Sequence, residues 1–407
     1  MKILFLASMF PPFLKGGAEI CAHQAALWLS KNGHEVGVLT ISKDREDELN
    51  GSLVEGLRIW RLPWPRAYTP HNSNEQGGLK KILWHIQDHL DPRNETIVER
   101  VVREFQPDVV YIHLFVGIGS NALSVFKKLR IPVCYHLHDL ALACLRCSMF
   151  KNGDSCTEQC RECKLSSAVR TGQFKSLPAP VQFTSPSVNT WNTLRSTVDL
   201  AGYEAVILPD IDLDIPVPRV PRASRKDPVR ILYVGRVHET KGVTFLLEVL
   251  AGIAASGRQF QFLIVGSGPD LSLLRERYSG QSWVTFTGQV PPAEVPGYMS
   301  NSDVLCTPSL WRENHPGVVR KAIRAGIPAL VSEVGGIPEM VEDRSSGMVL
   351  PPGDKTAWTR AIEDILDNED FLDQLQQGAA DQGARYSADL LGERLVKTLQ
   401  AAITAAG

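Results

Sequence analysis

The feature that most constrains this fold is a local pattern that occurs twice along the chain. An apolar strand, "ILFLA" (3–7), leads through a loop rich in proline and glycine to a helix with apolar positions at 22, 25, 26 and 29. The pattern restarts at 229 with "VRILYVG", followed by apolar positions at 243, 246, 247 and 250. Strands that alternate with amphipathic helices predict an α/β protein with parallel sheets covered on both faces.

The length supports two such domains, because 407 residues exceed the usual size of one hydrophobic core. We expect a first domain over 1–208 and a second over 229–385, joined by a linker at 209–228 that contains five prolines. A final helix over 386–407 is expected to pack back towards the first domain. Ligands of open parallel sheets lie beyond the carboxyl ends of the strands, so a cleft between two facing sheets is the expected site.

Charge and hydropathy narrow the class of protein. A formal net charge of −2 gives no indication of a nucleic acid partner. Residues 2–8 are apolar but too short to cross a bilayer, and no signal-peptide cleavage site follows them, so a cytoplasmic location is expected. Weak peripheral association with the inner membrane face is the alternative. It would use a set of aromatic and basic residues: Trp60, Trp64, Tyr68, Trp84, Arg58, Arg61, Arg66, Lys80 and Lys81. The simpler interpretation is that the aromatic rings belong to the core and the basic residues beside them are solvated.

Three loops that follow strands could bind an anion. Gly16 and Gly17 open the first helix, although a tight turn alone would also require glycine. Arg236 ends the first strand of the second domain and Lys241 follows at a helix start, which suits a diphosphate unless both are solvated surface charges.

The third loop is "ENHPGV". The chain turns at Asn314, and free amides at Gly317 and Val318 would face a phosphate. Glu313, just outside, is suited to accept hydroxyl hydrogen bonds from a sugar, unless it only complements the helix dipole.

His138 closes a strand of the first domain, where it could donate to a substrate hydroxyl with Asp139 orienting the ring. A structural histidine is the commoner case for any single residue of this type. The motifs "GGAE", "HD", "VGR…KG", "FTG", "PS.W.EN.P" and "GIPALVSEVGGIPEMV" together resemble the family 4 glycosyltransferases, in order and spacing, over nearly the whole chain. The "EN.P" form and the cysteine-rich segment look like one bacterial branch.

The resemblance implies the GT-B fold, with two Rossmann-like domains facing a cleft, the acceptor on the first and the nucleotide on the second. It implies transfer with retention from a nucleotide-diphosphate sugar to a small or lipid-linked acceptor, without a catalytic metal, in polysaccharide, glycoconjugate or secondary-metabolite synthesis. The implied catalytic residues are His138, Glu313, Arg236 and Lys241; the implied donor-binding residues are Gly16, Gly17, Arg236, Lys241, Glu313, Asn314, Gly317, Val318 and Lys321. Lys321 is a departure, since the family places there a second Glu that bonds the ribose.

Five cysteines within twenty residues predict a bound metal, because disulfides are not expected in a cytoplasmic protein. The outer pairs are both C-x-x-C, which favours structural zinc over an iron–sulfur cluster or free thiols. Four of the five would be the ligands: Cys144, Cys147, Cys156, Cys160 and Cys163.

Two other functions stay open: a nucleotide-sugar epimerase, and a weakened protein that binds a sugar nucleotide without turnover.

Overall fold

The computed structural model describes residues 1–14, 16–42, 51–62, 68, 76–151, 154–177, 181–213 and 217–406. The chain divides into two compact units. The first comprises Met1–Met149, Cys156–Leu213 and Ala388–Gly407, and the second comprises Phe150–Ser155 and Asp214–Ser387.

The first unit is built on an eight-stranded sheet with the order β10-β9-β6-β5-β1-β2-β4-β3. All neighbours are parallel except the antiparallel pair β3 and β4. The strands are β1 (Lys2–Ala7), β2 (Glu35–Ile41), β3 (Ser52–Val54), β4 (Leu57–Leu62), β5 (Val109–Leu114), β6 (Val133–His136), β9 (Gln182–Ser185) and β10 (Ala205–Ile207), with a separate hairpin of β7 (Phe150–Lys151) and β8 (Asp154–Ser155).

Helices pack against this sheet and bury the apolar residues of its central strands. The helices are α1 (Gly17–Lys31), α2 (Gly78–Leu90), α3 (Arg93–Phe105), α4 (Leu123–Leu129), α5 (Arg161–Lys175), α6 (Val188–Thr197) and the terminal helix, which is α13 (Ala388–Ala406). In α1 the predicted apolar positions Ala22, Ala25, Ala26 and Leu29 are all buried. The terminal helix lies against α1, where Asp389 accepts a hydrogen bond from Trp28 Nε1 at 2.9 Å.

The second unit holds a six-stranded, fully parallel sheet with the order β13-β12-β11-β14-β15-β16. Its strands are β11 (Val229–Val234), β12 (Phe260–Val265), β13 (Val284–Gly288), β14 (Val304–Thr307), β15 (Ala329–Ser332) and β16 (Gly347–Leu350). Its helices are α7 (Val243–Ala255), α8 (Leu271–Arg277), α9 (Val295–Ser300), α10 (Gly317–Arg324), α11 (Lys355–Asp367) and α12 (Glu369–Gly383). The two parallel sheets confirm the predicted α/β class.

Part of the segment read as a linker is packed on the second unit. Arg219 Nη1 lies 3.1 Å from Asp303 Oδ1, and Arg222 Nε lies 3.4 Å from the other oxygen of that fully buried carboxylate. Arg230 also pairs with Asp303, at 2.9 Å. A buried carboxylate needs such partners, so residues 217–222 are held to the unit by charge.

Candidate functional site

The second unit gathers its candidate residues around the carboxylate of Glu313. Its Oε1 accepts hydrogen bonds from Ser309 Oγ at 3.0 Å and from Trp311 Nε1 at 2.9 Å. The same oxygen forms an ion pair with Lys241 Nζ, which also lies 5.0 Å from the centre of the Trp311 ring. Two residues 72 positions apart in sequence are thus fixed in one cluster, since charge-assisted hydrogen bonds hold both side chains.

Two glycines allow the backbone to come this close. Gly242, directly after Lys241, has a φ of +71°, and a Cβ there would lie 1.8 Å from the carbonyl oxygen of Pro308. Gly335 has a φ of +58°, and a Cβ there would lie 2.0 Å from the carbonyl oxygen of Glu313. Only glycine fits both constraints, so the loops that carry Lys241 and Glu313 depend on these positions.

Arg236 follows β11 in the same unit. Its side chain is exposed, and its carbonyl oxygen accepts a hydrogen bond from Tyr233 Oη at 2.7 Å. The hydroxyl of that buried tyrosine fixes the turn that leads to Arg236. An exposed guanidinium on a fixed backbone is free to meet an anionic ligand.

Helix α10 begins at Gly317, with Pro316 as its N-cap. The amides of Gly317 and Val318 lie in its first turn, where backbone N–H groups have no acceptor within the helix. Lys321 lies one turn further along, four residues after Gly317 and therefore on the same side of the helix. Its side chain is half-buried. The geometry places Asn314, Gly317, Val318 and Lys321 along one loop and helix start.

In the first unit, Gly16 and Gly17 stand at the start of α1, as expected. The Gly16 amide donates to Glu19 Oε2 at 2.9 Å, and Glu19 is 4% exposed. The helix therefore carries its own carboxylate at the end where an anion was expected. A cavity of about 530 Å³ opens beside this turn; its lining includes Gly16, Gly17, Glu19, Lys81, Trp84 and Asp139.

His138 belongs to a cluster of three histidines and one carboxylate. His138 Nε2 lies 2.6 Å from His113 Nδ1, and His138 Nδ1 lies 3.7 Å from Asp210 Oδ1. The same Asp210 oxygen is 3.1 Å from His136 Nε2. Burial holds the pKa of His113 well below its usual range, and the charges of the other two histidines lower it further. Both nitrogens of His138 thus face protein groups.

The carboxylate expected to orient His138 has other contacts. Asp139 accepts a hydrogen bond from the Ala141 amide at 2.8 Å, and the Cys147 thiol also bonds to it. Burial raises the pKa of Asp139 to about 6. Asp210, 72 positions away from His138, instead supplies the carboxylate beside His138 Nδ1. Sequence reasoning missed Asp210 and His113, because neither stands in a local motif with His138.

Among the residues that the structure describes, two groups of side chains have the chemistry of metal ligands. His136, His138 and Asp210 each offer one ligand atom, and these atoms lie within 4.8 Å of one another. In the cysteine-rich segment, Cys163 Sγ lies 3.2 Å from Cys160 Sγ and 3.8 Å from Cys144 Sγ.

The sulfur separations suit ligands of one tetrahedral ion with Zn–S bonds of about 2.3 Å. Desolvation raises the pKa of Cys163 to about 12, so a bound cation would be needed to hold the thiolate. Burial also raises the pKa of Cys147 well above its usual range, and its thiol bonds Asp139. The structure thus brings Cys144, Cys160 and Cys163 together, with Cys156 half-buried nearby in sequence.

The described aromatic residues of the set considered for a membrane face are buried. Trp60, Tyr68 and Trp84 are 0%, 5% and 4% exposed, so these three rings belong to the core. Trp64 and Arg66 lie outside the described residues. The simpler reading therefore holds for the described aromatic rings. Within the described part of the chain, no helix is both long enough and apolar enough to span a bilayer.

Comparison with known proteins identifies the family. The model for "Glycosyl transferases group 1" matches residues 216–382, and that for "Glycosyl transferase 4-like domain" matches residues 16–155. The chain belongs to the family 4 glycosyltransferases with the GT-B fold, and it is an enzyme of the transferase class. This confirms the family and the fold that the sequence motifs indicated.

Individual relatives are distant. The phosphatidyl-myo-inositol mannosyltransferase of Mycobacterium leprae is 25% identical over 241 residues, which cover 59% of each chain. Among solved structures, the sucrose-phosphate synthase of Thermosynechococcus elongatus has a TM-score of 0.76 at 20% identity, covering 99% of both chains. Anabaena HepE in complex with UDP and glucose has a TM-score of 0.68 at 17% identity, covering 98% of this chain and 99% of that one. At these identities the structures show a shared fold.

Proposed function

We propose that this glycosyltransferase moves a sugar from a nucleotide-diphosphate donor to an acceptor with retention of anomeric configuration. The observation that carries the proposal is the cluster of Lys241, Ser309, Trp311 and Glu313, which lies in the unit that also carries Arg236. HepE, a structural neighbour, binds UDP and glucose. The mannosyltransferase relative supports a role in making a glycoconjugate.

The donor diphosphate would be bound by the cations and amides of the second unit. Arg236 and Lys241 supply two positive charges, and the first turn of α10 supplies the amides of Gly317 and Val318. These groups stabilise the negative charge that grows on the diphosphate as the glycosidic bond breaks. Because they are placed by fixed loops, they need little rearrangement during the reaction.

Glu313 has two tasks in this proposal. Its Oε1 fixes Lys241 and is itself fixed by Ser309 and Trp311. The carboxylate also has the lone pairs needed to accept hydroxyl hydrogen bonds from the donor sugar. It therefore links the position of the sugar to the position of the cation that faces the leaving group.

Retention follows if the acceptor oxygen attacks the face from which the diphosphate departs. The bond from the anomeric carbon to the donor oxygen breaks, and a bond to the acceptor oxygen forms on the same side. The acceptor proton passes to the departing phosphate oxygen, so a second carboxylate is not required; glycoside hydrolases, in contrast, use a pair. We propose His138 as a further catalytic residue, with Asp210 and His113 setting the orientation of its ring.

One observation favours a second candidate, a protein that binds a sugar nucleotide with weakened turnover. Lys321 stands where the family places a ribose-binding carboxylate, and a lysine ammonium has donors but no acceptor. The two candidates differ in a simple result: one forms product, and the other only binds.

The test begins with a screen of nucleotide sugars by thermal shift, since a bound donor raises apparent stability. Donors that bind are then incubated with candidate acceptors, products are detected by mass spectrometry, and anomeric configuration is read by NMR. Glu313→Ala should lose transfer, while Glu276→Ala, at an exposed glutamate of α8 in the same unit, should keep it. Binding without product from any donor would favour the second candidate, and an inverted product would refute retention.

A further inference from the structure

Helix α2 exposes an unusual number of large apolar side chains. Leu79, Ile82, Leu83, Ile86 and Leu90 are 86%, 61%, 49%, 52% and 68% exposed. Their spacing of three, one, three and four residues places them along one side of the helix. In a surface helix of a globular protein, such a stripe normally faces the core. Here the stripe faces away from it.

The opposite side of α2 is firmly packed, so the exposure is not a consequence of a loose helix. Trp84 is 4% exposed and its Nε1 donates to the Tyr68 carbonyl oxygen at 2.8 Å. Asp88 is fully buried and accepts from the Gly117 amide at 2.9 Å. His89 bonds the hydroxyls of two serines in neighbouring elements, at 2.9 and 3.0 Å. These contacts fix which side of α2 points outward.

The charges on the exposed side have one sign. Lys80, next to Leu79 in the first turn, is exposed at the border of the stripe. The only acidic residue in the helix sequence is Asp88, which is buried on the other side. An apolar stripe that is bordered by a lysine and by no acidic residue of its own helix matches the interface of a bilayer, where acyl chains contact the apolar residues and anionic headgroups attract the cation.

We propose that the exposed face of α2 docks the first unit onto an anionic membrane surface. The face is defined by Leu79, Lys80, Ile82, Leu83, Ile86 and Leu90. It lies in the bilayer interface and does not cross the membrane. Among possible occupants, the charge pattern selects anionic lipid over a second copy of this chain, because a second copy of this face would bring another lysine and no carboxylate of α2 to pair with Lys80.

The same helix forms a wall of the cavity beside Gly16 and Gly17. Its inner residues Lys81, Trp84 and His85 line that space of about 530 Å³. A docked α2 would therefore set this cavity beside the headgroup layer. This position suits an acceptor whose polar part enters the cavity while its lipid part stays in the membrane, an assignment that rests on the proposed function.

Docking is tested by co-sedimentation with vesicles of phosphatidylcholine alone or mixed with phosphatidylglycerol, without any donor. Wild type is expected to bind the anionic vesicles at least tenfold more strongly than the neutral ones. Ile82→Glu/Ile86→Glu should lose at least tenfold in binding. The matched control is Leu165→Glu/Leu273→Glu, which adds the same charge at side chains that are 72% and 67% exposed elsewhere, and it should bind as wild type does.

Circular dichroism and thermal unfolding establish that each variant is folded, and Lys80→Gln tests the charge contribution in a protein whose apolar stripe is intact. The proposal would be wrong if wild type did not bind anionic vesicles. It would also be wrong if the control pair lost as much binding as the α2 pair. A dimer in analytical ultracentrifugation that the α2 pair dissociates would also overturn it, by assigning the face to self-association.

The acceptor assignment has its own measurement. Label from the donor that the screen selects is followed into the organic phase of a membrane extract. The α2 pair should reduce that incorporation at least tenfold, and the control pair should not. Label that stays in water-soluble products with wild type would overturn the lipid-linked acceptor. Vesicle binding without any donor turnover would contradict the proposed function and leave the docking proposal standing.

Discussion

The two units present their candidate residues in different ways. In the second unit, Lys241 and Glu313 pair at the ends of two loops, and the residues that fix Glu313 lie within four positions of it. In the first unit, His138 meets His113 and Asp210, which lie 25 and 72 positions away. The second unit holds charges in short loops at the edge of its sheet. The first holds a buried network drawn from several strands.

The difference indicates a division of tasks. Exposed or half-buried cations on fixed loops can meet a diphosphate that arrives from solvent and leaves again. A buried network instead fixes side-chain orientation, because each polar group needs its partner. We therefore expect substitutions in the second unit to act mainly on donor binding and turnover, and those in the first to act mainly on stability and orientation.

The largest expected effect is on transfer when a cation of the second unit is removed. Arg236→Ala and Lys241→Ala should each lower kcat/KM by about 10²- to 10³-fold, or about 3–4 kcal/mol of transition-state stabilisation. Arg277→Ala removes an exposed arginine whose partner is the surface Glu248, and it should have little effect. Near-normal turnover in both variants would contradict the assignment of the donor-binding site to the second unit.

The comparison also shows where sequence reasoning succeeds. Residues in local motifs, such as Arg236, Glu313 and Gly317, could be chosen because strand, loop and helix start follow directly in sequence. The Lys241–Glu313 pair could not be predicted from spacing, since it needs the sheet order that brings β11 and β14 side by side. Asp210 was missed for the same reason. Its loop follows β10 at the end of the sheet order, and its meeting with His138 depends on the folded chain.

The next expected effect concerns the cysteine-rich segment of the first unit. We predict about one zinc ion per chain in protein purified without added metal, and its loss in Cys144→Ser/Cys163→Ser together with a lower free energy of unfolding. Elemental analysis and urea unfolding measure both. Asp210→Asn separates this site from the histidine cluster, because it should leave the metal content unchanged. A metal-free, stable wild type with all thiols free would contradict the prediction.

A smaller effect is expected at Asp139, whose pKa is raised from 3.8 to about 6 by burial. Between those values the folded state binds more protons than the unfolded state, so the free energy of unfolding falls as pH rises from about 4 to 6. Asp139→Asn removes this dependence and keeps an oxygen for the Ala141 amide. Relative to wild type, the variant should gain about 3 kcal/mol between pH 4 and 7.

Asp199 provides a control of opposite sign. Its exposed carboxylate accepts a hydrogen bond from Lys175, and this contact lowers the pKa of Asp199. Asp199→Asn should therefore lose a little stability relative to wild type as pH rises through the acid range. Chemical denaturation at several pH values measures both differences. A difference between Asp139→Asn and wild type that is constant with pH would show that the carboxylate is not held protonated.

The smallest expected effect is at Lys321, the residue that separates this chain from its family's pattern. Lys321 lies on the same side of α10 as Gly317, so its flexible side chain can extend towards a phosphate bound at the helix start. Lys321→Ala should weaken binding of a nucleoside diphosphate by about 1.5–3 kcal/mol in isothermal titration, the scale of a hydrogen bond to a charged group. Lys321→Glu should weaken it further, and both losses should shrink at high salt. The exposed Lys355→Glu is the matched control and should bind like wild type. Tighter binding in Lys321→Glu would mean that the wild-type site lacks a hydrogen-bond acceptor for the ribose. The second unit would then carry a weakened donor site.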